Sequence, residues 1–115
     1  MPQGGSKNLA PVISLRERLS DGQPDLIVDL FLYPTQSGGR SKPIALGYGC
    51  PCTAERTVEE AWTGYPLLRD PMLPGERRRV GIIFLVPKPA LAALSDLEKF
   101  YLWESRIIGE ATIVR

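Results

Sequence analysis

The sequence predicts an all-β fold, a barrel or sandwich of roughly six short strands, and three observations carry that expectation. Eleven glycines and eleven prolines among 115 residues are too many for a helical bundle, because both interrupt regular elements and supply the φ angles of tight turns. Apolar residues alternate with polar ones along several stretches, which is the period of a half-buried strand. Turn residues recur between those stretches at short intervals, where an α/β protein would carry crossover helices. The length suits one domain with one core, and 43% hydrophobic against 23% charged residues is the balance of a chain that folds.

Residues 1–23 read as an N-terminal extension, partly disordered or an added edge element. Its Gly/Ser-containing start is expected to fray, and the apolar positions of 12–19 suit one helical turn or an extra strand. The folded domain proper is expected over 24–115. Leu26, Val28, Leu30 and Leu32 fall on one face of the first strand; Ile27, Asp29, Phe31 and Tyr33 fall on the other. Pro34 stops the ladder, 37–41 supplies turn chemistry, and Pro43 opens a second extended stretch through Tyr48 and Cys50. Residues 55–61 allow a short helical turn before Trp62, Thr63, Gly64 and Tyr65 restore strand composition. After the turn at Pro71, Pro74 and Gly75, the segment 79–86 places Val80, Ile82, Phe84 and Val86 on one face. Ile83 and Leu85 take the other, so both sides are expected to be largely covered. Pro87 and Pro89 end that strand, 90–97 forms a short helix or a loop, and 100–104 with 109–114 makes the closing strand pair.

Several chemistries are excluded or constrained. With no histidine, every Ser/His or Cys/His nucleophile pair and every histidine metal site is ruled out. Cys50 and Cys52 are two thiols where a closed zinc site wants four ligands. Two residues apart on a strand they point the same way, where a bridge would close a small, strained ring. They are expected to be free, partly buried thiols, with a redox or intermolecular role as the alternative. No Gly-x-x-x-x-Gly-Lys-Ser/Thr loop is present to cradle phosphates. Fourteen basic residues against thirteen acidic ones give a formal charge of +1, so any nucleic-acid role rests on a local patch. The longest apolar run, 80–86, is far short of a membrane span, and the start has no signal-peptide pattern, so a cytoplasmic address is expected. No enzyme activity, cofactor or metal is expected.

The order and spacing of the turn residues resemble the third, C-terminal domain of elongation factor Tu and related translational GTPases, over about 25–115. The alternating first strand leads to Gly38, Gly39 and Arg40, then Pro43 and the pair Gly47 and Tyr48. Thr63 and Gly64 follow, then the Pro-Gly-acidic turn Pro74, Gly75, Glu76 and a strand ending in Pro87. Phe100, Leu102 and Glu104 lead through a turn to Gly109 and the last strand. The resemblance implies a six-stranded closed antiparallel barrel with Leu26, Val28, Leu30, Val80 or Ile82, Phe84, Phe100 and Leu102 inside. It also implies that the Arg40 turn is the face that meets an aminoacyl-tRNA stem. The family's histidine after Gly-Gly-Arg is Ser41 here, its aromatic and basic stretch after Gly-Tyr is replaced by Gly49, Cys50, Pro51 and Cys52, and the closing turn is one residue shorter.

Two groups of candidate residues emerge. Arg40, Ser41, Tyr48, Arg77 and Arg79 are candidates for an RNA or partner contact, with Arg40 first by resemblance; its alternative role is to cap the Gly-rich turn or pair with Glu76 or Glu104. Phe31, Tyr33, Tyr101 and Trp103 share outer strand faces and are candidates for a protein interface, unless residues 12–19 cover them. The function expected is a non-catalytic binding module for a protein or a structured RNA such as tRNA. The alternatives are a small enzyme using Asp29, Glu104 and Glu110 as acid and base, a decoy of a translation factor, or a homo-oligomer joined through the aromatic outer face.

Overall fold

The computed structural model describes residues 14–115. Its six strands are β1 (Leu26–Leu32), β2 (Cys50–Thr53), β3 (Trp62–Pro66), β4 (Arg77–Phe84), β5 (Lys99–Trp103) and β6 (Ile107–Ile113). Two short helices accompany them, α1 (Leu15–Asp21) and α2 (Pro87–Leu94). The strands pair antiparallel throughout and close into a barrel in the order β1, β4, β3, β2, β5, β6, with β6 returning to β1. The expected fold class and strand number are therefore observed.

The alternation of β1 chooses the barrel's inside. Val28, Leu30 and Leu32 are buried, as are Val80, Ile82 and Phe84 of β4, Phe100 and Leu102 of β5, and Ile108, Ala111 and Ile113 of β6; Leu26, half-buried, packs against them. Phe84 and Phe100 meet across the centre at 6.1 Å between ring centroids, and each such side chain contributes about 1.5–3 kcal/mol by leaving water. One end of the barrel is plugged by Ile44, Leu68 and Met72, and α2 adds Ala90 and Leu94 to the same core. Pro87 starts α2, where a missing N–H costs nothing.

The seams differ in length. β1 pairs with β4 from Leu26 opposite Ile82 to Phe31 opposite Arg77, whereas β2 and β5 share only Cys52 opposite Leu102 and Thr53 opposite Tyr101. That short seam is reinforced from outside by Trp103, whose Nε1 donates to Thr53 Oγ1 at 2.7 Å. At the β6–β1 seam the backbones approach so closely that a Cβ on Gly109 would stand 2.6 Å from the Phe31 carbonyl oxygen.

Three local expectations change, and one open alternative is decided. The extended stretch after Pro43 is a single bridge, Ile44 with Met72; the chain then turns, with Tyr48 N–H donating to Ala45 O and Gly47 at φ 100°, and β2 begins only at Cys50. Residues 55–61 form bends and no helical turn. β4 stops at Phe84, so Leu85 and Val86 are exposed while Ile83 is fully buried. The segment following Ser14 is a helix, not an added edge strand: Ser14 and Glu17 cap one another reciprocally, and Gly22 ends the helix at φ 68°. Arg18 ties α1 to the barrel by donating to Asp25 Oδ2 and to Phe84 O, both at 2.8 Å, while Asp25 Oδ2 accepts from Phe84 N–H. The fraying start, with Val12 and Ile13, lies outside the described residues.

Candidate functional site

Four adjacent strands, β5, β6, β1 and β4, present one continuous outer face, because antiparallel pairing sets their outward side chains side by side in rows. One row runs Tyr101, Glu110, Phe31, Arg77, and the next Lys99, Thr112, Asp29, Arg79. Tyr33 extends the face beyond β1, Trp103 extends it along β5, and Arg56 reaches over it from the loop between β2 and β3. Phe31 and Tyr33 stack edge to face at 5.5 Å. The Arg77 guanidinium lies 4.0 Å above the Phe31 ring and that of Arg56 lies 5.2 Å from the Tyr101 ring.

The charges of this face are only partly matched. Glu110 accepts from Lys99 Nζ at 2.9 Å and from the Tyr33 hydroxyl at 2.9 Å. The Lys99 contact, with Tyr33 adding to it against the opposing effect of burial, holds the Glu110 carboxyl below its ordinary range. Asp29 and Arg79 face each other fork to fork at 2.9 and 3.2 Å, which lowers the Asp29 carboxyl too. Burial pushes the Tyr33 hydroxyl up, so it stays a donor. Arg56 and Arg77, by contrast, make no ion pair among the described residues.

The five residues singled out for an RNA or partner contact are thus divided. Arg77 and Arg79 belong with the aromatic side chains on this face. Arg40, Ser41 and Tyr48 sit at a separate corner, by the turn between β5 and β6. There the Arg40 Nε donates to both oxygens of Glu104 at 3.1 Å, its Nη1 donates to the carbonyls of Lys42 and Pro43 at 3.0 Å, and the guanidinium stacks on Tyr48 at 4.7 Å. Tyr48 in turn donates its hydroxyl to Glu104 at 2.7 Å. The Arg40 side chain retains only 17% of its exposure. Its pairing with Glu104 is one of the alternatives weighed from the sequence, and it leaves little of the guanidinium for a phosphate. Gly38 and Gly39 build the turn: Gly38 takes φ 95°, and a Cβ on Gly39 would collide with the Tyr33 carbonyl. Ser41 is exposed. Of the Arg77–Arg79 run, Arg78 alternates to the other side, where it pairs with Glu76 and donates to the carbonyls of Asp70 and Pro71.

Between these two regions lies a cleft of about 330 Å³ lined by Tyr48, Pro51, Val58, Trp103 and Glu104. Trp103 therefore borders both the cleft and the outer face. The cover anticipated from residues 12–19 takes a different place in its described part: α1 sits at the Asp25 and Phe84 end of the barrel, and it is the loop carrying Arg56 that reaches over Tyr101.

An acid–base pair needs two carboxylates whose surroundings drive their proton affinities apart. Asp29, Glu104 and Glu110 are instead each held by a cation of their own, and all three are shifted in the same direction, downward. At Glu104 the hydrogen bond from the Tyr48 hydroxyl does most of this, with Arg40 adding to it against the opposing effect of burial. Cys50 and Cys52 are free and buried, with Cys52 Sγ 3.6 Å from the Cys50 carbonyl oxygen; they act as small apolar core residues. Among the described residues no helix is long and apolar enough to cross a membrane. No model of a known protein family matches the chain, and no curated protein matches it.

Proposed function

We propose that the chain is a non-catalytic binding module, built like the C-terminal barrel of the translational GTPases, that docks a protein partner through the outer face of β5, β6, β1 and β4. The observation that carries this reading is the paired rows of aromatic and charged side chains across four strands, with Phe31, Tyr33, Tyr101 and Trp103 all half-exposed. Aromatic rings with arginines beside them are the usual anchors of protein interfaces. Two carboxylates in the same rows favour a protein over a nucleic-acid backbone, because a run of phosphates would be repelled where Asp29 and Glu110 stand. Two buried free thiols are in keeping with a reducing compartment such as the cytoplasm.

A photo-crosslinking amino acid placed at Thr112, in the middle of the face, should capture a protein in cells, while the same group at Ser41 should capture little. Nuclease-sensitive adducts from either position, or protein adducts from Ser41 alone, would reject the reading in favour of an RNA contact or of the Arg40 corner.

A further inference from the structure

We propose that the partner is an acidic amphipathic helix, two of whose carboxylates, seven residues apart, are gripped by Arg56 and Arg77. The inference rests on the outer face being the working surface, and it identifies the chemistry that the face selects.

Four cations and two carboxylates occupy the face. Arg79 is taken by Asp29 and Lys99 by Glu110, which leaves Arg56 and Arg77 as the charges a ligand can satisfy. Both guanidiniums lie over aromatic rings. Arg77 is held over the Phe31 ring, and Arg56, beside the Tyr101 ring, also contacts the Tyr33 and Tyr101 hydroxyls; each is already held in place, and neither meets a carboxylate among the described residues, so little freedom is lost when one binds. Both residues are exposed, and neither is used to brace the barrel as Arg40 is.

Their separation is set by the sheet. Arg56 lies on Tyr101 and Arg77 on Phe31, and those two rings stand in one row with Glu110 between them. Two strand spacings make that distance about 10 Å. Residues seven apart on a helix are separated by about 10 Å along its axis and lie on the same side. Positions three and four residues after the first carboxylate then fall over the middle of the row, above Glu110 and between the Tyr101 and Phe31 rings, and are suited to uncharged side chains that reach the flanking rings. A nucleic-acid strand carries a charge every few ångströms and would set one over Glu110, whose carboxyl stays ionised beside Lys99 and Tyr33. A helix can leave that position free of charge, and a ligand with this spacing satisfies both arginines without opposing the carboxylate between them.

The test uses the full chain and helical peptides of about 18 residues, read by fluorescence anisotropy at low salt. One peptide carries Glu at two positions seven apart with Leu between, a second carries Gln at both, a third sets the two Glu four apart, and an RNA stem-loop is the fourth probe. The first peptide should bind about tenfold more tightly than the second and more tightly than the third, and should weaken as salt is raised. Arg56→Gln and Arg77→Gln should each weaken it about three- to tenfold, each cancelling the effect of one Glu in a double-mutant cycle. Both substitutions are at exposed positions; each removes one guanidinium–ring stack and should lower the thermal melt by a few degrees at most, about 2–4 °C, with the fold retained. Absence of binding, indifference to Glu→Gln, indifference to either arginine, or preference for the RNA would each overturn the proposal. Protein adducts from Thr112 with charge-indifferent peptide binding would remove the acidic helix and keep the docking face; no protein adduct from Thr112 would remove the face itself.

Discussion

Truncating Arg40 to Ala separates two roles for that residue, a brace that holds the Gly-rich turn against β5 or a contact reserved for a ligand. The substitution deletes two donated bonds to Glu104, two to the carbonyls of Lys42 and Pro43, and the stacking on Tyr48. Water can reach Glu104, whose side chain keeps 45% of its exposure, so the ion pair is worth little more than a surface pair, up to about 1 kcal/mol. Stacking on Tyr48 adds about 0.5–1 kcal/mol, and the carbonyls are rehydrated at small cost. The sum is about 1–2 kcal/mol, which lowers the melting temperature of a domain this size by about 4–8 °C. A pH signature accompanies it. Glu104 is held below its ordinary range by Tyr48 and Arg40, with burial opposing them; a depressed carboxyl contributes stability above its unfolded value and loses it as pH falls through the folded one. The difference between wild type and Arg40→Ala should therefore be full at pH 7 and shrink below about pH 4. Circular-dichroism melts across that range measure it, with Arg79→Ala, at an exposed pair, as the control expected to leave the melt unchanged. A wild-type melting temperature for Arg40→Ala at pH 7 would refute the brace, and a loss of RNA affinity with an unchanged melt would make Arg40 a contact.

Two further outcomes test the barrel itself. Gly109→Ala drives a Cβ toward the Phe31 carbonyl and should cost about 1–3 kcal/mol, read as a lowered urea midpoint with unchanged slope; a wild-type midpoint would mean that β6 and β1 are not held so closely. Hydrogen bonding to Cys50 and burial both push the Cys52 thiol up, so a thiol-specific disulfide reagent at pH 8 should label neither cysteine before unfolding, and both together across the urea transition. Labelling in native buffer would show that the β2 region opens.

The core was legible because β1 carries its inside and outside in strict alternation from Leu26 to Tyr33, and β4 and β5 repeat that pattern through Val80, Ile82, Phe84, Phe100 and Leu102. Alternation was less informative where composition mimicked a strand: residues 43–48 read as extended, yet Gly47 and the Tyr48-to-Ala45 bond turn them. Helix α1 carried a signal that hydrophobic periodicity misses, Ser14 and Glu17 in capping spacing with Gly22 at the stop, because only Leu15 and Leu19 mark an apolar stripe in seven residues. The outer face was visible strand by strand, as aromatic residues out of phase with the core. Its assembly into rows depends on the register of strands far apart in the chain, which no local pattern contains. Arg56 went unread for the same reason: it is an ordinary loop arginine until the barrel brings Tyr101 beneath it. Glu104 was named as one of two possible partners for Arg40, and only the fold selects it across 64 residues.

Closing the sheet has a consequence for recognition that concerns the backbone. A barrel has no free edge, so neither a partner nor a second copy can extend it by adding a strand; whatever docks here must read side chains, and each contact can be removed singly without disturbing a ladder. The exception is the two-position seam between β2 and β5, fastened by Trp103 to Thr53. Parting at that seam exposes two ladders at once, one of them on β5, a strand of the aromatic outer face. Trp103, bonded to Thr53 through its indole nitrogen, is the side chain that fastens this seam from outside, so its loss would weaken the barrel where the ladder is shortest.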